Sequence, residues 1–164
     1  VSIKQTLLQN WLPVLVWMAV IFSASSDSES SDHSSRIIGP IARWLYPQIS
    51  QSELDTIVHG VRKAAHVTEY AILAALLSRA LRRHRRSRSS SPSCAPDPAA
   101  ALQAWGLAAL YAVSDEVHQL FVPTRTGQWQ DVVIDSSGAL LGLVVLAGLR
   151  LVLRRCQRAE SILG

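Results

Sequence analysis

Residues 131–153 read DVVIDSSGALLGLVVLAGLRLVL: two aspartates one helical turn apart, then an apolar run interrupted only by Arg150 near its far end. A helix rises 1.5 Å per residue, so a run of this length crosses a bilayer core of about 30 Å. Gly138 and Gly142, spaced G-x-x-x-G, give it a face on which another helix can pack closely. This stretch sets the expectation of an all-α membrane bundle, and the rest of the chain is read outward from it.

Upstream, the apolar run from about Ala99 to Val122 makes a further span, joined to the last one by a short loop from Phe121 to Gln130. Before it come the densest charge cluster, Arg79, Arg82, Arg83, Arg85, Arg86 and Arg88, and a Ser and Pro linker up to Pro98. Residues 83–98 are therefore expected to be a solvated loop. Ala64 to Leu81 supplies another span, within a helix that starts above the membrane, N-capped by Ser52 with Asp55 three residues on. Ile37, Ile38, Ile41, Trp44 and Leu45 recur at helical spacing beside Arg36 and Arg43, which suits a short interfacial helix ended by Pro47. Ser23 to Ser35 has nothing apolar to bury and is read as a loop. Leu7 to Ala24, with Trp11 and Trp17, is taken as the first span; Lys4 and the small residues Ser23 to Ser26 also fit a secretory signal peptide.

The expectation is one membrane domain over residues 1–164, an α-helical bundle of about four transmembrane helices with an interfacial helix on the outer side. Hydrophobic residues make up 49% and the basic residues, 16 against 12 acidic, sit at the ends of apolar runs. A nucleic-acid-binding face needs them along a soluble surface, so that class is excluded. Cys94 and Cys156 have no cysteine or histidine at metal-site spacing and are read as free thiols. With both termini in the cytoplasm, Lys4, the six arginines at 79–88 and Arg150, Arg154, Arg155 and Arg158 put eleven basic residues inside. Arg36, Arg43, Arg62, Lys63 and Arg125 leave five outside. The positive-inside rule selects this orientation.

That topology places the ionisable residues of the spans by depth. His66 and Glu69, then Asp115, Glu116 and His118, then Asp131 and Asp135 all fall near the outer ends of three helices. Carboxylates at a helix centre cost about 2.5 to 3.5 kcal/mol, so such groups imply mutual pairing or a wet cavity, and they mark candidate sites. His66 with Glu69 and Asp115 with His118 are i and i+3, and Asp131 with Asp135 is i and i+4; each pair shares a helix face. Imidazole and carboxylate together suit a divalent metal and equally suit acid and base catalysis without one. Arg62, Lys63 and Arg125 stand near enough to hold an anionic head group by bidentate hydrogen bonds; in the structural alternative Arg62 or Arg125 neutralises Asp115 or Asp131. Tyr70, Trp105 and Trp129 are read as packing or interface anchors, and His33, His59 and His84, placed in loops or at loop edges, receive no role.

Arg62, Lys63, His66, Glu69 and Tyr70, in R-K-x-x-H-x-x-E-Y, are followed by S-D-E-x-H-Q at Ser114 to Gln119 and by Arg125, Asp131 and Gly138. Two motifs in this order resemble the VanZ-like family of small bacterial membrane proteins, over roughly residues 55–145. The resemblance implies a multi-pass envelope protein whose namesake is associated with resistance to the glycopeptide teicoplanin. It carries over His66, Glu69, Asp115, Glu116, His118, Gln119, Arg125 and Asp131 as motif residues. Members usually carry Asn where this chain has Asp135, so the site here holds one more acid.

Two functions are expected to compete. In one, the protein is an enzyme acting on an anionic envelope lipid or precursor, with Arg62, Lys63, Gln119 and Arg125 binding it. His66, Glu69, Asp115, Glu116, His118 and Asp131 would then carry the chemistry. In the other it is an accessory factor that binds a lipid-linked precursor or the glycopeptide without turnover. A transporter is disfavoured, because the ionisable groups cluster at one surface rather than reaching the midplane.

Overall fold

A computed structural model describes residues 3–26, 30–88, 97–122 and 127–163. The chain is all-α: α1 (Ile3–Ser26), α2 (Ser30–Leu45), α3 (Gln51–Arg88), α4 (Pro98–Gln119) and α5 (Trp129–Leu163), with no strand among the described residues. Helix α3 is central and touches each of the other four, while α4 and α5 pack on it and on each other.

The packing inverts the order found in water. Helix α4 turns Ala100, Ala104, Ala108 and Ala112 inward, each fully buried, and presents Leu102, Leu110, Val113 and Val117 outward. Helix α5 likewise buries Gly138 and Ala139 and exposes Leu140, Leu141, Val144, Val145 and Leu149. Small residues inside and large aliphatic ones outside suit helices that meet in an apolar medium, where close backbone approach, not hydrophobic burial, holds them together. The glycine face of α5 is where this is most pronounced. A Cβ on Gly138 would lie 2.6 Å from the carbonyl oxygen of Val67, and one on Gly142 would lie 2.5 Å from that of Ala71. Only glycine lets α5 rest directly on the α3 backbone.

Among the described residues two helices are long and apolar enough to cross a membrane, Leu8–Ser26 and Trp129–Arg154, rather than the four expected. Polar groups at one end of α3 and of α4, and the arginines at the other end of α3, dilute their hydropathy. Several boundaries also move. Residues 83–88, expected in a loop, continue α3, and residues 30–35 begin α2, because a helix already nucleated by its apolar face propagates into polar flanks at little cost. His59 and His84 lie within α3 rather than at loop edges.

The α3 cap forms at Ser50 rather than Ser52: Glu53 N–H reaches Ser50 Oγ at 3.3 Å, and Ser50 N–H donates to Glu53 Oε2 at 2.9 Å. This reciprocal capping box is why the helix starts at Gln51. At α4, Asp97 accepts the Ala100 N–H at 2.9 Å, and Pro98 occupies the first helical position. Helix α2 packs Ala42 and Ile38 against Leu54 and Val58 of α3, and leaves Ile37, Ile41 and Trp44 exposed on its other face. Cys94 lies outside the described residues.

Candidate functional site

The inward stripe of α4 changes chemistry toward its C-terminal end. After Ala112, the next buried positions are Asp115, Glu116 and Gln119. The same happens in reverse on α5, where Asp131 and Asp135 precede Gly138, and on α3, where His59, Arg62, Lys63 and His66 share the face that leads down to Tyr70. The glycine contacts hold α5 against Val67, one residue from His66, so the three polar ends converge. They enclose a cavity of about 170 Å³ lined by His59, Arg62, Lys63, His66, Glu116, Gln119, Gln128, Asp131, Ile134 and Asp135.

Within it, His66 Nδ1 faces Asp135 Oδ1 at 3.7 Å, an ion-pair distance rather than a hydrogen bond, and Asp135 is completely buried. Neither Asp135 oxygen has a hydrogen-bond donor among the described residues. A buried acid with only an imidazole for company is held by that pairing, and it restrains the ring in return. Lys63 Nζ lies 3.3 Å from Asp131 Oδ1. Glu116 Oε2 accepts the backbone N–H of Gln128 at 2.9 Å, which anchors the segment returning to α5. Gly127 makes this possible, since a Cβ there would meet the Glu116 carbonyl oxygen at 2.5 Å.

Asp115 and His118 belong to a neighbouring cluster against α1. Ser25 Oγ donates to Asp115 Oδ2 at 2.7 Å, and the fully buried Tyr70 hydroxyl approaches the same oxygen at 3.5 Å. Ser26 Oγ lies 3.0 Å from His118 Nε2, and Phe22 stacks on the imidazole with centroids 4.3 Å apart. The carboxylate of Glu69 does not line the cavity; its backbone carbonyl accepts Trp17 Nε1–H at 2.9 Å.

The candidate residues therefore divide. Arg62, Lys63, His66, Glu116, Gln119 and Asp131 meet at the cavity, while Asp115 and His118 meet α1 instead. Arg125 lies outside the described residues. Among the described residues Asp131 pairs with Lys63 rather than with Arg62. Reading the sequence missed Ser25 and Ser26, which carried no motif signal, and His59, which three- and four-residue spacing from Arg62, Lys63 and His66 marks as part of one face. Asp135, the departure from the family pattern, is the partner of His66. Trp105 is more than an anchor, donating Nε1–H to the Ser136 carbonyl at 3.1 Å. Among the described residues no group of three His, Cys, Asp or Glu side chains stands close enough to hold a metal ion.

Comparison with known proteins identifies the class: residues 10–152 match the VanZ/LLP1 family, and the chain belongs to it. Membership and the two apolar helices together mark a membrane protein. No curated protein and no solved structure matches the chain.

Proposed function

We propose that the protein is a four-span bundle of the bacterial cytoplasmic membrane whose outer end receives the anionic head group of an envelope lipid and handles a proton there. The observation that carries this reading is the pairing of His66 with buried Asp135 on the wall of a cavity that also presents Arg62 and Lys63. Arg62 makes no ion pair among the described residues, and its planar fork suits a phosphate; Lys63 is shared with Asp131, so an incoming anion competes with that carboxylate. His66, oriented by Asp135, is the group that takes or gives the proton. The inward Ala stripe and outward aliphatic face of α4 support counting it, with α3, as membrane-crossing. The positive-inside count supports placing the cavity outside, the side on which glycopeptide antibiotics such as teicoplanin act.

A binding role without turnover is favoured by the engagement of Glu116 with Gln128 and of Asp131 with Lys63, which leaves neither carboxylate free for chemistry. One experiment separates the two. The full chain, purified in detergent, is incubated with a bacterial envelope lipid extract and followed by mass spectrometry beside His66→Gln and Asp135→Asn. A lipid consumed by the native chain alone establishes an enzyme, and the mass change names its reaction. A lipid that co-purifies unchanged and is lost in both variants establishes a recognition site. No difference between native chain and variants rejects the cavity as the functional site.

A further inference from the structure

The other end of the bundle carries a second cleft. About 24 Å along α3 from His66, at sixteen residues of 1.5 Å rise, α3, α4 and α5 part around a volume of about 310 Å³. Its wall is Leu143, Leu146 and Ala147 of α5, and its rim carries Arg82 of α3 with Arg150 and Arg154 of α5. The α5 positions recur at three- and four-residue spacing from Leu143 to Arg154, so they form one stripe. At 1.5 Å per residue the stripe runs about 16 Å, roughly half a bilayer core.

Among the described residues, charge in this cleft is one-sided. Its single acid, Asp97, is occupied: Oδ1 accepts the Ala100 N–H at 2.9 Å and faces Arg85 at 3.4 Å. Arg82 gives Nε–H to the Ser78 carbonyl at 3.1 Å, its one hydrogen bond among the described residues. Arg150 makes neither a hydrogen bond nor an ion pair among them. The Arg82 and Arg150 guanidinium groups, at the head of one apolar trough, repel one another unless an anion sits between them.

We propose that this cleft is a binding site for an anionic phospholipid, its phosphate held by Arg82 and Arg150 and one acyl chain lying along Leu143, Leu146 and Ala147. Basic pockets between helices at the cytoplasmic face take such head groups, and the forked guanidinium matches phosphate oxygens in pairs. The site is distinct from the His66 cavity; the four-span orientation decides only that the lipid comes from the inner leaflet.

The test uses the delipidated full chain in detergent, with dioleoylphosphatidylglycerol, dioleoylphosphatidylcholine or inorganic phosphate added, read by native mass spectrometry and thermal melting. Phosphatidylglycerol is expected to give a one-to-one adduct and a higher Tm, and phosphatidylcholine neither. Arg82→Gln and Arg150→Gln should each weaken the adduct about tenfold. Without lipid, Arg150→Gln should melt no lower than the native chain, since it relieves repulsion; a merely structural arginine would melt lower. Ala147→Trp, which fills the trough and leaves every arginine, should also lose the lipid. Equal binding of phosphatidylcholine, displacement of the lipid by phosphate alone, or full retention by both glutamine variants would overturn the proposal. Should the arginine variants fail to fold, the three-ligand comparison and Ala147→Trp decide it.

Discussion

At the scale of single residues, the site turns on a carboxylate with almost nothing but an imidazole beside it. Asp135 is fully buried and faces His66 at 3.7 Å, so the two side chains stabilise each other or strand each other. Removing one partner of a buried pair leaves the other's charge uncompensated, at a cost of about 3 kcal/mol or more, whereas replacing both by apolar groups is close to neutral. His66→Leu is accordingly expected to lower stability strongly, and His66→Leu with Asp135→Leu to recover most of the loss, in denaturant titrations of the purified chain. Additive losses would mean the pair is not coupled. Asp135→Asn keeps the size and removes the charge; it should cost less stability than His66→Leu, because His66 can stay neutral, and should change head-group binding if the acid tunes the site.

At the scale of the helix, two devices position that site. The first is the glycine face of α5. Gly138→Ala is expected to push α5 from α3 and cost about 1 to 3 kcal/mol, as overpacking does, and to weaken any activity of the His66–Asp135 pair. Gly148→Ala, where a Cβ would meet nothing within 4 Å, is the matched control and should be neutral or slightly stabilising in the same titration. The second device is the Ser50–Glu53 box at the start of α3. Hydrogen bonds from the Ser50 hydroxyl and backbone hold the Glu53 carboxyl below its ordinary range. A lowered folded-state value means the cap contributes fully above the ordinary carboxyl pKa of about 4.3 and fades as pH falls through the lowered one. Amide exchange in the first turn of α3 should therefore be protected at neutral pH and lose that extra protection in acid, and Glu53→Gln should remove the pH dependence.

At the scale of the whole molecule, the two ends of the bundle differ in chemistry: carboxylates and imidazoles gather with Arg62 and Lys63 at one, and arginines crowd the other. The arginine end is tied down by Arg83 Nη1–H donating to Asn10 at 3.2 Å and by Arg85 to Gln103 at 3.1 Å. In the proposed four-span orientation this end faces the cytoplasm. A reporter inserted after Pro92, in a segment outside the described residues, is expected to read as cytoplasmic, and a periplasmic signal there would invert both sites. Such a bundle, with its large aliphatic residues outward, should also lose its fold when detergent is diluted away.

Local pattern determined much of this. Apolar runs, helix-period spacing and the G-x-x-x-G face are properties of adjacent residues, so the helices, the family motifs and the gathering of His66, Asp131 and Asp135 at one end of the bundle were legible in the sequence. Which of those groups touch was not, because contacts between helices depend on rotation and on how closely the backbones approach. Only the tertiary structure separated Asp115 and His118, bonded to Ser25 and Ser26, from the cavity of His66, and only it made Asp135 the partner of His66. The reason is geometric: glycine contacts at Val67 and Ala71 set the rotation of α5 on α3, and that rotation decides which carboxylate an imidazole meets.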